Sequence, residues 1–285
     1  MSTSKFRLAL LQLAVTANKI ENLERASKLI REAASAGAQI LCLPECFNFP
    51  YEPKSFPKYA EPIPGMSSDM LSRSAQENGV YLVGGTLSES ENGKIYNTCL
   101  VYGPDGAMLA KHRKVHLFDI DIPGKIRFSE SDFLAPGNKL TTLETPFCKV
   151  GLGVCYDIAF SSFAQAYAQL GCKLLLYPAA FNMFTGPLYW EAFSRCRAFD
   201  NQVYVATVSP ARNEAASYVT WGHSMLVDSS GNVVRSAGHG EELVLADVDL
   251  DHLALAREQM PKIKHKRDDI YQVVCKNGET TVALS

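Results

Sequence analysis

No stretch of this sequence is apolar for long enough to span a bilayer, and beyond one short run at 262–267 lysine and arginine do not gather into a block. The first absence excludes a transmembrane helix. The second removes the electrostatic footprint of a protein that binds nucleic acid or an anionic membrane surface. The 28 basic and 30 acidic residues are interspersed and leave a net charge of -2. Small molecules are the expected partners. The start of the chain lacks the charged-then-apolar layout and small-residue cleavage site of a signal peptide, since Met1 to Lys5 lead directly into strand-like residues 6–13. The expected location is the cytoplasm, with mitochondria as the alternative. There Cys42, Cys46, Cys99, Cys148, Cys155, Cys172, Cys196 and Cys275 are expected as reduced thiols, most of them small core hydrophobes. Cys42 and Cys46 do not announce zinc: residues four apart on a strand are too distant to chelate without a turn, and a second paired Cys/His cluster is missing. No low-complexity linker interrupts the chain, so residues 1–285 are expected to form a single domain.

What is present is apolar residue, 47% of the chain against 20% charged, enough for a large core. Its pattern is written twice. In the first half, a helix carries Leu23, Ala26, Leu29, Ile30, Ala33 and Ala34 on one face and stops at Gly37. A strand at 39–43, a helix around 69–76, a strand at 80–85 and a hairpin at 96–102 and 107–111 follow. From Lys149 the order returns: strand, helix 163–170, strand 173–178, helix 188–199, strand 203–207, and a hairpin turned at Asp228-Ser229-Ser230-Gly231. A duplicated β-α-β-α-β plus hairpin unit, with halves at about 1–148 and 149–250, predicts an α/β fold. Its two sheets each carry helices on one face and pack on each other by the other face, a four-layer α-β-β-α sandwich. Residues 251–285 form a tail with a helix, the basic run 262–267 and an extended end. That run is read as a solvated face, with an oligomer arm as the alternative.

Three strand-like segments end on chemistry. Residues 39–44 hand over Glu45, residues 108–111 lead into Lys114, and residues 149–154 deliver Cys155. Open α/β sheets place reacting groups at such ends. A neutral thiol is a weak nucleophile, and a neighbouring base and cation are what activate one. Glu45 can accept the thiol proton, and Lys114 can stabilise negative charge on the thiolate and on an oxyanion. Each residue also has an ordinary reading: Cys155 as core packing, Glu45 as a helix cap, Lys114 as part of a basic stripe with His112, Arg113 and His116.

The segments Leu43-Pro44-Glu45-Cys46-Phe47, His112-Arg113-Lys114-Val115-His116-Leu117 and Gly151-Leu152-Gly153-Val154-Cys155-Tyr156-Asp157 resemble the three signature stretches of the nitrilase superfamily of carbon-nitrogen hydrolases, in the same order. Within it, Phe118 to Lys125, Thr185-Gly186-Pro187 and Asp200 to Thr207 are similar to the omega-amidase branch. The resemblance implies hydrolysis of the terminal amide of short α-keto dicarboxylic acid monoamides, α-ketoglutaramate and α-ketosuccinamate. It also implies the duplicated sandwich, a homodimer and no cofactor. Carried over by residue, Glu45 is the general base, Lys114 the oxyanion-stabilising amine, Cys155 the thioester-forming nucleophile, and Glu130 the acid that orients Lys114. Tyr51, Phe47, Phe181 and Asn182 are pocket candidates, and the backbone amide of Tyr156 is a candidate oxyanion donor. Arg197, Arg212 or backbone amides are left as candidates for the substrate's carboxylate. The chain departs from the pattern at Ala159, usually arginine, and Ser162, usually acidic. A linked pair lost together would explain both changes, because one buried charge left unmatched is costly. An amidase for deaminated glutathione or a carbamoyl compound is the enzymatic alternative, and a binding or assembly protein that has lost catalysis is the other.

Overall fold

The computed structural model describes residues 4–124, 126–275 and 280–282. Lys125, the last residue of one branch-like segment, lies outside them, as do residues 276–279 and 283–285 of the extended end expected for the tail.

The first half runs β1 (Lys5–Gln12), α1 (Lys19–Ser35), β2 (Ile40–Cys42), α2 (Ser55–Tyr59), α3 (Met66–Asn78), β3 (Tyr81–Val83), β4 (Leu87–Glu91), β5 (Lys94–Tyr102) and β6 (Met108–Arg113). A ribbon of β7 (Asp119–Ile122) and β8 (Ile126–Ser129) follows, then β9 (Thr141–Glu144). The second half runs β10 (Lys149–Leu152), a 3-10 turn over Cys155–Ala159, α4 (Ser161–Gln169), β11 (Leu174–Pro178), α5 (Thr185–Asn201), β12 (Tyr204–Val208), β13 (Met225–Val227) and β14 (Val233–Ser236). The chain closes with β15 (Glu242–Asp249), α6 (Leu250–Gln259), α7 (Lys262–His265) and β16 (Thr280–Val282). Among the described residues no helix is long and apolar enough to cross a membrane.

Two sheets form, ordered β15-β1-β2-β3-β5-β4 with β6 also on β5, and β14-β13-β12-β11-β10-β9-β16. In each, three strands run parallel, β1-β2-β3 and β10-β11-β12, which is the expected repeated unit. The period of two along a strand decides which layer each side chain joins. Phe6, Leu8 and Leu10 of β1 pack with Leu152, Leu174, Leu176 and Val205 of the opposite sheet. Ala9 and Leu11, between them, pack under Leu23, Ala26 and Ile30 of α1 and Leu71 of α3. Helices α4 and α5 cover the second sheet through Ala164, Tyr167, Trp190 and Ala198. The result is the expected α-β-β-α sandwich.

Local signals set the helix ends. The Asn18 side chain accepts the N–H groups of Ile20 and Glu21 to start α1, and α3 stops at Gly79, whose φ of +62° is left-handed. Two features go beyond the sequence reading. The turn Asn92-Gly93, with φ of +51° and +74°, makes a further hairpin of β4 and β5. Asn-Gly is a strong signal for such a turn, and the reading of one hairpin per half passed over it. The second feature is an exchange. β9 follows the first half but pairs with β10 of the second sheet, while β15 follows the second half and lies along β1 from Lys5↔Asp249 to Gln12↔Glu242. Each sheet is completed by a strand from the other half.

Candidate active site

The C-terminal ends of β2, β6 and β10 meet at one edge of the sandwich. Lys114 follows β6 directly, and Glu45 stands three residues past β2 on a loop packed against Gly85, where a Cβ would strike the Pro44 carbonyl. Cys155 is not at the end of its strand, as the sequence reading placed it. β10 stops at Leu152, Gly153 passes so close to the Tyr177 ring that a side chain there would overlap it, and Cys155 opens the 3-10 turn with φ of +47°. A non-glycine residue in that region is strained, and such strain concentrates where surrounding structure holds a reactive group in place.

The Lys114 ammonium donates to Glu45 Oε1 at 3.0 Å and to Glu130 Oε1 at 2.9 Å, and all three side chains are at most 1% exposed. Asn97 Nδ2 donates to the same Glu45 oxygen at 2.8 Å. Glu130 accepts from the Tyr51 hydroxyl and from the Phe118 N–H, each at 2.7 Å, so it is a buried anchor and not a loop acid in solvent. Burial disfavours charge on Lys114, but the carboxylates of Glu130 and Glu45 outweigh it and hold the ammonium well above the ordinary lysine range. Burial pushes the Glu45 carboxyl above its usual range; Lys114 and a hydrogen bond with Cys155 pull the other way, and Glu130 adds to the rise. Burial and then the Glu45 charge push the Cys155 thiol up, against Lys114 and the Ala180 N–H. At rest this is a neutral thiol beside a carboxylate that is a stronger base than an exposed one.

Cys155 lies on the wall of a cavity of about 380 Å³ whose other walls are largely aromatic: Phe118, Tyr156, Phe181, Tyr189, Phe193 and Tyr218. Of the expected pocket residues, Tyr156 and Phe181 are therefore in place. The Tyr156 N–H, at the start of the 3-10 turn, has no partner within that turn. Phe47 lies instead in the core beneath the first sheet's helices, Tyr51 stands behind the cavity wall, donating to Glu130 and packing edge-on against Tyr218 at 4.8 Å, and Asn182 caps α5 by accepting the N–H groups of Phe184 and Thr185. Neither arginine candidate lines the cavity. Arg197 donates to the carbonyls of Ile158 and Ala159, and Arg212 donates to the Trp221 carbonyl over its indole ring. Ala159 does line the cavity, whereas Ser162 is exposed, so an acid there would sit in solvent and the cost of an unmatched buried charge does not tie the two positions together.

Asp157 is the residue the sequence reading missed. Fully buried, it accepts the Val154 N–H at 2.8 Å and the His116 N–H at 2.9 Å, meets His116 Nδ1 at 2.7 Å and faces His112 Nε2 at 3.6 Å. Burial is overcome by these partners, which hold its carboxyl far below the usual range. Asp157 thereby ties the turn bearing Cys155 to the segment bearing Lys114. An acid two residues after the thiol, with histidines on both sides of the lysine, was the available signal.

The family model for carbon-nitrogen hydrolases matches residues 7–258. The chain is 59% identical to the omega-amidase NIT2 of Xenopus tropicalis over 270 residues, 95% of this chain and 98% of that protein. It is 56% identical to the omega-amidase NIT2 of Homo sapiens over 273 residues, 96% and 99% of the two chains. Among solved structures, Saccharomyces cerevisiae Nit3, of the nitrilase superfamily, superposes with a TM-score of 0.85 at 41% identity, covering 92% of this chain and 97% of the other.

Proposed function

Because the chain belongs to the carbon-nitrogen hydrolase family, we infer that it is an omega-amidase, hydrolysing the terminal amide of α-keto dicarboxylic acid monoamides to the keto acid and ammonia. The observation that carries the chemistry is the buried Glu45–Lys114–Glu130 ion cluster against the Cys155 thiol. As Cys155 Sγ attacks the amide carbon, Glu45 takes the thiol proton, so the thiolate forms only while its new bond is forming. The oxyanion is held by the Lys114 ammonium and the Tyr156 N–H, donors fixed before the charge appears. Glu45 returns the proton to the nitrogen, the carbon–nitrogen bond breaks, and ammonia leaves a thioester. Glu45 then removes a proton from water, which attacks the thioester; the acid leaves and the proton returns to the thiolate. Glu130 keeps Lys114 aimed and charged. The same reading makes the enzyme a cytoplasmic homodimer working without a cofactor; Leu188 and Phe199, half exposed on the outer face of α5, support a covered surface there.

Ammonia release from α-ketoglutaramate, beside glutamine, deaminated glutathione and a carbamoyl amino acid, tests the assignment. The keto-amide is expected to be turned over fastest. Preference for another panel member would move the substrate, and no turnover by folded protein would favour a binding role.

The acid limb gives a second check. Glu45 is active only as the carboxylate, and its pKa is raised, so kcat/KM should fall on acidification through a midpoint above the ordinary glutamate value of 4.5. No loss is expected through the ordinary lysine range on the alkaline side, because Lys114 stays charged there. An acid midpoint at or below 4.5 would argue that another group is the base.

A further inference from the structure

We infer that Ala159 opens the catalytic cavity into an adjoining groove, so that this chain accepts primary amides whose acyl group is longer or bulkier than that of a short keto-dicarboxylate. The inference rests on the amidase reading above and deepens it.

Ala159 borders two spaces. One is the 380 Å³ cavity holding Cys155; the other is a groove of about 470 Å³ between Phe160 and Phe163 on one side and Val273 and Val274 of the tail on the other. Its side chain is a single methyl, so the partition between them is as low as a side chain can make it without glycine. The backbone cannot move to close the gap. Arg197 grips the carbonyls of Ile158 and Ala159 at 2.8 and 2.9 Å, the Phe160 N–H donates to the Asp157 carbonyl, and Asp157 is itself tied to Val154 and His116. Beside the Tyr156–Phe160 ring pair, whose centroids are 5.2 Å apart, the height of the partition is therefore set by the residue at 159.

The groove suits an apolar end. Phe160 stacks on His116 at 3.7 Å, Val274 presents an exposed apolar face, and among the described residues no lysine or arginine lines either space. Among those residues, then, neither space supplies a fixed lysine or arginine that would single out a carboxylate-ended substrate. The inner cavity alone falls within the range that takes a drug-sized ligand, well beyond the needs of a short keto-amide. Because the leaving group of a primary amide is ammonia, all further bulk belongs to the acyl chain.

The test is kcat/KM for a series: α-ketoglutaramate, the monoamides of succinic, adipic and suberic acids, and a phenyl-terminated primary amide. The wild-type enzyme is expected to hydrolyse the longer and phenyl-terminated members. In Ala159→Arg the ratio of long-chain to short-chain kcat/KM should fall by about tenfold or more, the scale of steric discrimination in an apolar pocket. Ala159→Leu should move the ratio the same way by less, which keeps the test valid if the arginine variant fails to fold. Turnover of α-ketoglutaramate with none of the longer amides overturns this inference and leaves the amidase reading standing, as does a ratio unchanged in both variants. No turnover of any amide removes both.

Discussion

Replacing Cys155 with alanine should lower kcat on α-ketoglutaramate by roughly a million-fold, the scale seen when a covalent nucleophile is removed from a preorganised site. The loss should be purely chemical. Alanine is as strained as cysteine at φ of +47°, Asp157 and Arg197 hold the turn independently of the thiol's own contacts with Glu45 and the Ala180 N–H, and Cys155 is only 4% exposed. The melting temperature should stay within about 2 °C of wild type, as expected for a change worth less than about 1 kcal/mol in a chain of this size. Stopped turnover followed by mass spectrometry should trap an acyl adduct on wild-type Cys155 and none on the variant. Labelling with a small electrophile would not by itself single out Cys155, because Cys196 and Cys275 are exposed and will react too, so the label must be assigned by peptide. A variant that keeps more than about one per cent of wild-type kcat would mean that the thiol does not form the covalent bond.

Replacing Lys114 with methionine should damage both chemistry and folding. The chemistry loses its oxyanion donor and the charge that favours the thiolate, a fall of about a thousandfold in kcat. Folding loses the ammonium that bridges Glu45 and Glu130, both of which lie within 3.0 Å of it. Breaking one side of a buried ion cluster typically costs about 3–5 kcal/mol. The sign of the pH dependence identifies the cause. With the ammonium gone, one of the two carboxyls must take up a proton to stay buried, so its folded pKa lies above its unfolded one. That protonated state stabilises the fold at low pH, and the stability is lost as pH rises through the folded value. The urea midpoint of Lys114→Met should therefore drop steadily from acidic toward neutral pH relative to wild type. Adding Glu130→Gln removes one of the two like charges and should recover much of the midpoint but none of the activity. Equal urea midpoints for Lys114→Met and wild type near neutral pH would sink the account of a strained buried cluster.

The paired carboxylates and the lysine were visible as motifs, and the family resemblance gave Glu130 the task of orienting Lys114; composition and spacing alone did not. Local sequence places Glu130 in a serine-rich stretch, and it is buried because the ribbon of β7 and β8 folds it back under Phe118 and Tyr51. Phe47 and Asn182 sit in matching motifs yet serve the core and a helix cap, since adjacency to a reacting residue in sequence fixes its distance but not its direction. Asp157 is in the signature stretch itself. Its role was illegible because its partners, His112 at the end of β6 and His116 just beyond it, come from some forty residues earlier.

Local periodicity, helix stops and turn residues were enough to determine the repeated β-α-β-α-β units, the face that α1 buries and the three segments just beyond strands that carry acid, amine and thiol. These depend on contacts within a few residues, where propensity and pattern act directly. Tertiary structure alone decided the exchange of β9 and β15 between the sheets, the left-handed turn at Cys155, the Asp157 clamp and the low partition at Ala159. Each of these joins segments far apart in the chain, and which distant surfaces meet is settled by how two whole sheets bury their apolar faces together.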